Sequence, residues 1–132
     1  MKNVRRTFLM AIMMLSLAVP TMLAARTPWI EKVPPRDHER ENTMAGDADA
    51  VAAGRLLYED HCARCHGDHA EGKGKRPSLR SERIQETATP GDLHWILRNG
   101  SMGRGMPSWS KLPDQQLWQI ITYLKTLKTE AR

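Results

Sequence analysis

The stretch Cys62-Ala63-Arg64-Cys65-His66 decides how the rest of this sequence is interpreted. It places two cysteines three positions apart with a histidine directly after them, and the chain of 132 residues has no other cysteine. A disulfide between the two would close only a very short loop and would constrain the unfolded chain little. The pair therefore indicates a chemical site rather than a structural crosslink.

The Cys-x-x-Cys-His pattern is typical of covalent haem attachment. One helical turn presents both thiols to the two vinyl groups of a porphyrin, and the adjacent His66 then lies under the iron, for which imidazole is a good ligand. A thioredoxin-like dithiol is one alternative, but it needs a preceding β-strand that the sequence does not show. A zinc site is the other, and it would crowd all its ligands onto one turn, whereas zinc motifs separate their two ligand pairs by about a dozen residues. Its ligands would be Cys62, Cys65 and two of His61, His66 and His69.

The residues before the motif have the spacing of a helix face. Asp47 or Asp49 can cap this helix through its carboxylate. Gly54 lies within this helix, where glycine costs about 1 kcal/mol relative to alanine. A glycine is expected at this position if another helix crosses closely there. The face residues recur at three- and four-residue steps; they are Val51, Gly54, Leu57, Tyr58 and His61.

Two further main helices are predicted after a loop over residues 67–80, which glycines and a proline punctuate. Thr89 is a suitable N-cap with a proline after it, and Gly100 ends that helix. The last helix carries a stripe of leucines and isoleucines from about 113–114 to about Lys128. No segment alternates with the period of a strand, so the predicted class is all-α, with three main helices and connecting loops.

Residues 1–25 have the composition of an export signal. They combine basic residues at the start, an apolar run and two closing alanines, with no acidic residue. The run nearly reaches the roughly 20 apolar residues that span a membrane, but Pro20 near its end favours a cleavable signal. We therefore predict cleavage near Arg26 and a periplasmic protein, with an uncleaved membrane anchor as the alternative.

Residues 26–46 are predicted to form a tether, because their prolines and dense charge leave too little apolar surface to fold alone. Trp29 and Ile30 are exceptions that either pack on the domain or lie near a membrane. The folded domain is predicted over residues 47–132. It has only five aromatic residues, and small domains with short apolar stripes are marginally stable without help. A buried haem would supply the missing core.

The charge of the chain excludes a nucleic-acid binder. Of the formal charge of +5, the first 25 residues contribute three basic side chains, which leaves +2 for the remainder before two haem propionates are added. A nucleic-acid-binding domain keeps a basic excess. The basic residues that remain can either be ordinary solvated charges or surround an exposed haem edge and steer acidic partners. They are Lys73, Lys75, Arg76, Arg80, Arg104 and Lys111.

The order of these motifs resembles the bacterial class I monohaem cytochromes c over about residues 47–128. The match begins with a glycine and an aromatic residue eight and four positions before the first cysteine. It continues with a proline and a leucine after the Gly-rich loop, a helix that ends in glycine, a Met-Pro pair, and aromatic residues in the last helix. The matching residues are Gly54, Tyr58, Pro77, Leu79, Gly100, Met106, Pro107, Trp118 and Tyr123.

This resemblance implies one haem c, bonded covalently through Cys62 and Cys65, with His66 on the iron. It also implies that the first and last helices cross at Gly54 and that the Pro77 carbonyl accepts a hydrogen bond from His66. The departure from the family pattern is Pro113 at a capping position of the last helix. The implied haem-pocket residues are Pro77, Leu79 and Trp109, the last of them near a haem propionate.

Met106 is the predicted sixth ligand of the iron. The proline after it biases Met106 towards extended backbone, and an extended loop can direct a thioether at the iron. Met102, four residues earlier, is the competitor, with packing in the haem pocket as its alternative role. Other candidates receive structural roles: His61 within the fold, His69 and His94 on the surface, and Trp95 in the core or pocket wall.

With both axial positions filled, the predicted function is single-electron transfer between redox partners such as dehydrogenases, oxidases or other cytochromes, and not substrate conversion. A tightly bound cytochrome subunit of a membrane dehydrogenase or terminal oxidase is the second possibility. A sensor or peroxidase with an open iron site is the third, which carbon monoxide binding to the ferrous protein would separate from a carrier.

Overall fold

The structure, a computed structural model, describes residues 29–129. The predicted export signal therefore lies outside the described residues. Within them the chain forms helices joined by loops, with two isolated β-bridges and no β-strand. The α-helices are α1 (Pro35–His38), α2 (Ala48–His61), α3 (Ala63–His66), α4 (Pro90–Asn99) and α5 (Asp114–Leu124). Ile30–Lys32 and Met102–Arg104 are short 3-10 helices, and Arg83–Thr87 is a π-helical turn.

Helix α2 begins after Asp47, one of the two N-cap residues that the sequence predicted. The Asp47 side chain accepts hydrogen bonds from the backbone N–H groups of Asp49 and Ala50, at 2.8 and 3.0 Å, which satisfies two donors of the first turn. The helix ends at His61, and Cys62 lies between it and the short helix α3. The cysteine motif is therefore held on one nearly continuous helical run.

Helices α2 and α5 cross in close contact at Gly54. A Cβ atom on this glycine would lie 1.9 Å from the carbonyl oxygen of Gln119, so a side chain there would force the two helices apart. Tyr58, one turn later, is fully buried, and its hydroxyl donates to the carbonyl of Gly67 at 2.6 Å. Burial raises the pKa of Tyr58 far above its ordinary value. The predicted crossing at Gly54 is confirmed.

Helix α4 has both caps that the sequence indicated. The Thr89 hydroxyl accepts from the Asp92 N–H at 3.1 Å, while the Asp92 carboxylate accepts from the Thr89 N–H at 2.9 Å. Gly100 ends the helix with φ of 68°, a conformation that glycine adopts without strain. The following backbone turns back over the helix end, where the Trp109 N–H donates to the Leu97 carbonyl at 2.8 Å.

Helix α5 is shorter than predicted, because it ends at Leu124 and not near Lys128. Lys125 turns away from the helix and donates through Nζ to three backbone carbonyls, at 2.7 to 3.0 Å. Burial lowers the pKa of this amine, although Asp92 opposes the shift. Lys125 therefore binds the turn before α4. The accepting carbonyls belong to Ile84, Gln85 and Ala88.

Residues 29–46, hereafter the N-terminal arm, pack on the domain. The sequence had instead predicted a tether over residues 26–46. Trp29, Ile30 and Met44 lie against the hydrophobic core, and Val33 is buried. The arm alone has too little apolar surface to fold, but α4 and α5 supply the apolar and polar surface that it lacks. Among residues 29–129, no helix has the length and apolar character needed to cross a membrane.

Candidate functional site

A cavity of about 550 Å³ opens beside the cysteine motif. The loop after the motif, helix α4 and the turn around residue 106 form its other walls. Apolar side chains from Ile84, Leu93, Ile96, Leu97 and Leu124 line much of it. Every site residue predicted from the sequence lies in its wall: Cys62, Cys65, His66, Pro77, Leu79, Met106 and Trp109.

His66 is held in place through one nitrogen of its ring. Nδ1 lies 3.0 Å from the carbonyl oxygen of Pro77, and a carbonyl can only accept, so the proton is assigned to Nδ1. This tautomer leaves Nε2 unprotonated and able to bind a metal. The Gly72 N–H donates to the His66 carbonyl at 2.6 Å, which ties the loop to the motif helix.

The two cysteines lie in the cavity wall and are not joined to each other by a disulfide. Cys62 is buried, and burial, with a smaller effect of Cys65, raises the pKa of its thiol to about 12. Cys65 is exposed. Because the thiolate is the reactive form of a cysteine, burial lowers the reactivity of the unmodified Cys62 thiol.

Met106 is fixed at the end of a tight hairpin. The N–H of Ser101 donates to the Met106 carbonyl at 2.8 Å, and the N–H of Met106 donates back to the Ser101 carbonyl at 3.1 Å. Gly105 permits the turn with φ of 73°. Met102, at the other side of the hairpin, is 74% exposed and does not line the cavity. The structure thus brings Met106 and not Met102 together with His66.

Basic side chains form part of the cavity lining. Arg76 donates to the carbonyl of Arg104 at 2.6 Å, which joins the loop after the motif to the Met106 hairpin. Lys75 and Arg64 also line the cavity. Three of the six basic residues singled out from the sequence lie here, whereas Lys73, Arg80 and Lys111 do not line it.

Sequence reasoning missed some contributors to the site. Trp29 of the N-terminal arm lines the cavity; the sequence had indicated only that it either packs on the domain or lies near a membrane. His61 also lines it and packs against the Trp109 ring, with 5.0 Å between ring centres. Trp95 is not among the lining residues. His94, predicted to be on the surface, is buried, because it packs under the N-terminal arm.

The alternative chemistries find no support in the part of the chain that the structure describes. In residues 29–129, no group of three or more His, Cys, Asp and Glu side chains is placed so that it could hold a metal ion. No strand occurs there either, so the thioredoxin context is missing.

The donor set fits a covalent haem. Two thiols, an imidazole with a free Nε2 and a thioether share one largely apolar cavity of a size that holds a cofactor. Haem iron takes His and Met as axial ligands in cytochromes c. An all-helical domain built around such a site is a class I cytochrome c.

Comparison with known proteins gives the family. A model described as cytochrome c oxidase, cbb3-type, subunit III matches residues 49–124, and the chain belongs to this family of cytochrome c domains. Cytochrome c-554(547) of Halothiobacillus neapolitanus is 38% identical over 95 residues, which cover 64% of this chain and 100% of the relative. The family binds covalent haem c, and so does this chain.

Two other relatives are larger than the shared domain. The quinohemoprotein alcohol dehydrogenase ADH-IIG of Pseudomonas putida is 33% identical over 99 residues, or 71% of this chain but 13% of that protein. Among solved structures, cytochrome CL from Methylophaga aminisulfidivorans has a TM-score of 0.59 and 26% identity, over 67% of this chain and 59% of that one. Similar domains therefore occur both as small cytochromes and within larger redox proteins.

Proposed function

We propose that this protein is a periplasmic single-electron carrier with one haem c, bonded through Cys62 and Cys65 and ligated by His66 and Met106. The observation that carries the proposal is the presence of both axial donors and both thiols in the wall of one cavity. Pro77, Leu79 and Trp109 complete the proposed pocket.

The side chains perform three tasks in this proposal. The Pro77 carbonyl orients the His66 ring and makes its Nε2 more basic. The Ser101–Met106 hairpin holds the thioether in place, and the apolar wall limits the access of water. Haem iron supplies a one-electron redox centre, whose potential is raised by His/Met ligation. If His66 and Met106 both held the iron, the group would offer peroxide and oxygen no open site, which favours electron transfer over catalysis.

Matched methionine variants test the ligand assignment. Met106→Leu and Met102→Leu both conserve volume and should cost under about 1.5 kcal/mol in packing. In the purified holoprotein, Met106→Leu should lose the methionine-to-iron charge-transfer band, bind carbon monoxide when reduced, and lower the potential. Met102→Leu should retain the band and exclude carbon monoxide. The reverse result would place the other sulfur on the iron.

Covalent attachment needs its own test. Acidified organic solvent should leave the haem on the denatured chain, since thioether bonds survive the treatment. Haem that leaves the polypeptide entirely would contradict the roles assigned to Cys62 and Cys65.

We also propose that the mature chain begins near Arg26 and lies in the periplasm. Intact mass and N-terminal sequencing of the protein from soluble and membrane fractions test this directly. A membrane-bound chain that keeps residues 1–25 would show an anchor in place of a cleaved signal.

A permanently bound cytochrome subunit of a dehydrogenase or oxidase is the second candidate. It is favoured by the family model, which is described as an oxidase subunit, and by the match within an alcohol dehydrogenase. Mild detergent extraction followed by size-exclusion chromatography separates the two functions. A free carrier should elute at monomer size, whereas a subunit should elute with a larger complex.

A further inference from the structure

The N-terminal arm is the part of the described chain that the proposed function does not use. It precedes the stretch that the family model matches, residues 49–124. Nevertheless it runs across α4 and α5, and its first described residue, Trp29, lines the cavity. Specific contacts between the arm and the domain hold it in this position.

The first contact is a close approach of two backbones. The carbonyl oxygen of Asp37 lies 1.9 Å from the position of a Cβ on Gly91, so the arm rests directly on the first turn of α4. The Thr89 hydroxyl donates to the His38 carbonyl at 2.9 Å. His38 also contacts the fully buried Asp92 through Nδ1, at 2.8 Å. These contacts fix the arm at residues 37 and 38.

The second contact is a partly buried polar network around the buried His94. The Arg40 guanidinium donates to Nδ1 of His94 at 2.9 Å, and Nε2 of His94 lies 2.7 Å from the Asp114 carboxylate. The guanidinium also lies over the Trp118 ring, 5.0 Å from its centre, and the His94 ring stacks on the same tryptophan at 4.4 Å. One arm residue is therefore bound to both α4 and α5.

A third contact completes the attachment further along the arm. The Asn42 amide donates to the hydroxyl of the buried Thr122 in α5, at 2.8 Å. Residues 37–42 are thus fixed by specific polar contacts, and the buried Val33 lies between them and Trp29. The 3-10 helix Ile30–Lys32 closes onto Trp29, whose carbonyl accepts from the Lys32 N–H at 3.1 Å. Trp29 is consequently held against the cavity by an anchored segment.

We propose that the N-terminal arm is part of the haem pocket, in which Trp29 covers the haem and excludes water from it. The inference rests on the proposed function, since it requires haem in this cavity. The apolar shell around a redox centre controls solvent access and local dielectric, and through them the potential. The oxidised centre carries more positive charge than the reduced one, so a drier pocket disfavours oxidation and raises the potential.

Substitutions at Trp29 test the proposal in the full-length holoprotein. Trp29→Ala should lower the reduction potential and increase the solvent perturbation of the haem Soret band, whereas Trp29→Phe should show smaller changes in both. Trp95→Ala is the matched control, because it removes a half-buried tryptophan that does not line the cavity. It should leave both readouts at the wild-type values. A Trp29→Ala protein with unchanged potential and unchanged solvent perturbation would overturn the proposal.

Gly91→Ala tests the arm without changing any side chain that lines the cavity. The added Cβ would displace the Asp37 backbone and so release the arm. The variant should reproduce the shifts of Trp29→Ala. Covalent haem is measured in every variant by acidified solvent extraction. This measurement distinguishes failure of the proposed function from failure of the inference about the N-terminal arm. Absence of covalent haem from the wild type would reject the proposed function and the inference with it. Intact haem with no response to either Trp29→Ala or Gly91→Ala would reject only the role of the arm.

Discussion

The carbonyl oxygen of Asp37 occupies the space in which a side chain on Gly91 would begin, with 1.9 Å between the oxygen and an added Cβ. The N-terminal arm and helix α4 can approach this closely only because position 91 has no side chain. Since a backbone carbonyl cannot rotate away as a flexible side chain can, the contact depends strictly on this glycine.

Gly91→Ala should therefore release the arm from the domain. The overpacking cost is of the order of 1–3 kcal/mol, and the arm can avoid it by detaching. Limited trypsin digestion should then cleave faster after Arg36 and Arg40, as followed by mass spectrometry. Gly103→Ala is the control, because nothing lies within 4 Å of its added Cβ, and it should digest like the wild type. Equal cleavage rates in both variants would show that the arm does not depend on Gly91.

The His94 network predicts a pH dependence of stability. Burial lowers the pKa of His94 below its ordinary value of 6.5; the hydrogen bond that His94 donates to the Asp114 carboxylate opposes the shift, and the charges of Arg40 and Arg98 support it. A guanidinium has no acceptor, so the Arg40 contact also requires an unprotonated Nδ1. Below pH 6.5 the unfolded chain takes up a proton that the folded chain resists. The stability contributed by neutral His94 is thus complete above that pH and is lost as the pH falls through the lower folded pKa.

Chemical denaturation of the wild type and of His94→Gln on both sides of pH 6.5 measures this contribution. The difference in unfolding free energy between the two proteins should shrink as the pH falls, since glutamine does not titrate. Asp114 acts in the same direction at lower pH. Its pKa is lowered because the contacts with His94, Trp118 and Arg40 outweigh the effect of burial. A difference independent of pH would show that His94 does not titrate on unfolding in this range.

The crossing at Gly54 predicts a large effect of a single methyl group. Alanine favours a helix over glycine by about 1 kcal/mol, but its Cβ would lie 1.9 Å from the Gln119 carbonyl and 3.0 Å from the Tyr123 side chain. Overpacking of this kind costs about 1–3 kcal/mol, so Gly54→Ala should lower the melting temperature. Leu56→Ala on the same helix is the comparison, because Leu56 is 61% exposed. A Gly54→Ala protein as stable as Leu56→Ala would mean that the helices do not cross there.

The position of Lys125 predicts that removing its amine destabilises the turn before α4. Lys125→Met keeps the length of the side chain but leaves three partly buried carbonyls without this donor. A buried polar group left unsatisfied costs about 1–3 kcal/mol. Lys128→Met, at an exposed position beyond the helix, should change stability by less than about 0.5 kcal/mol. Equal effects of the two substitutions on the unfolding midpoint would contradict the role of Lys125 in stabilising the turn before α4.

The sequence by itself determined the features that depend on neighbouring residues. The cap at Asp47, the capping box at Thr89 and the glycine stop at Gly100 are local, because each satisfies backbone groups within a few residues of itself. The Cys-x-x-Cys-His motif predicted the cofactor for the same reason, since its chemistry lies within five adjacent residues. The crossing at Gly54 also followed from sequence, but through the family resemblance.

The tertiary structure alone decided what the distant parts of the chain do to one another. Arg40 meets His94 across 54 residues and Lys125 meets Ile84 across 41, and neither pair leaves a periodic pattern in the sequence. A buried histidine and a surface histidine look alike there, because burial depends on what packs above them. The N-terminal arm was for this reason predicted to be a tether. Its packing, with Trp29 in the cavity wall, depends on the surface that α4 and α5 supply, and that surface forms only when the chain folds.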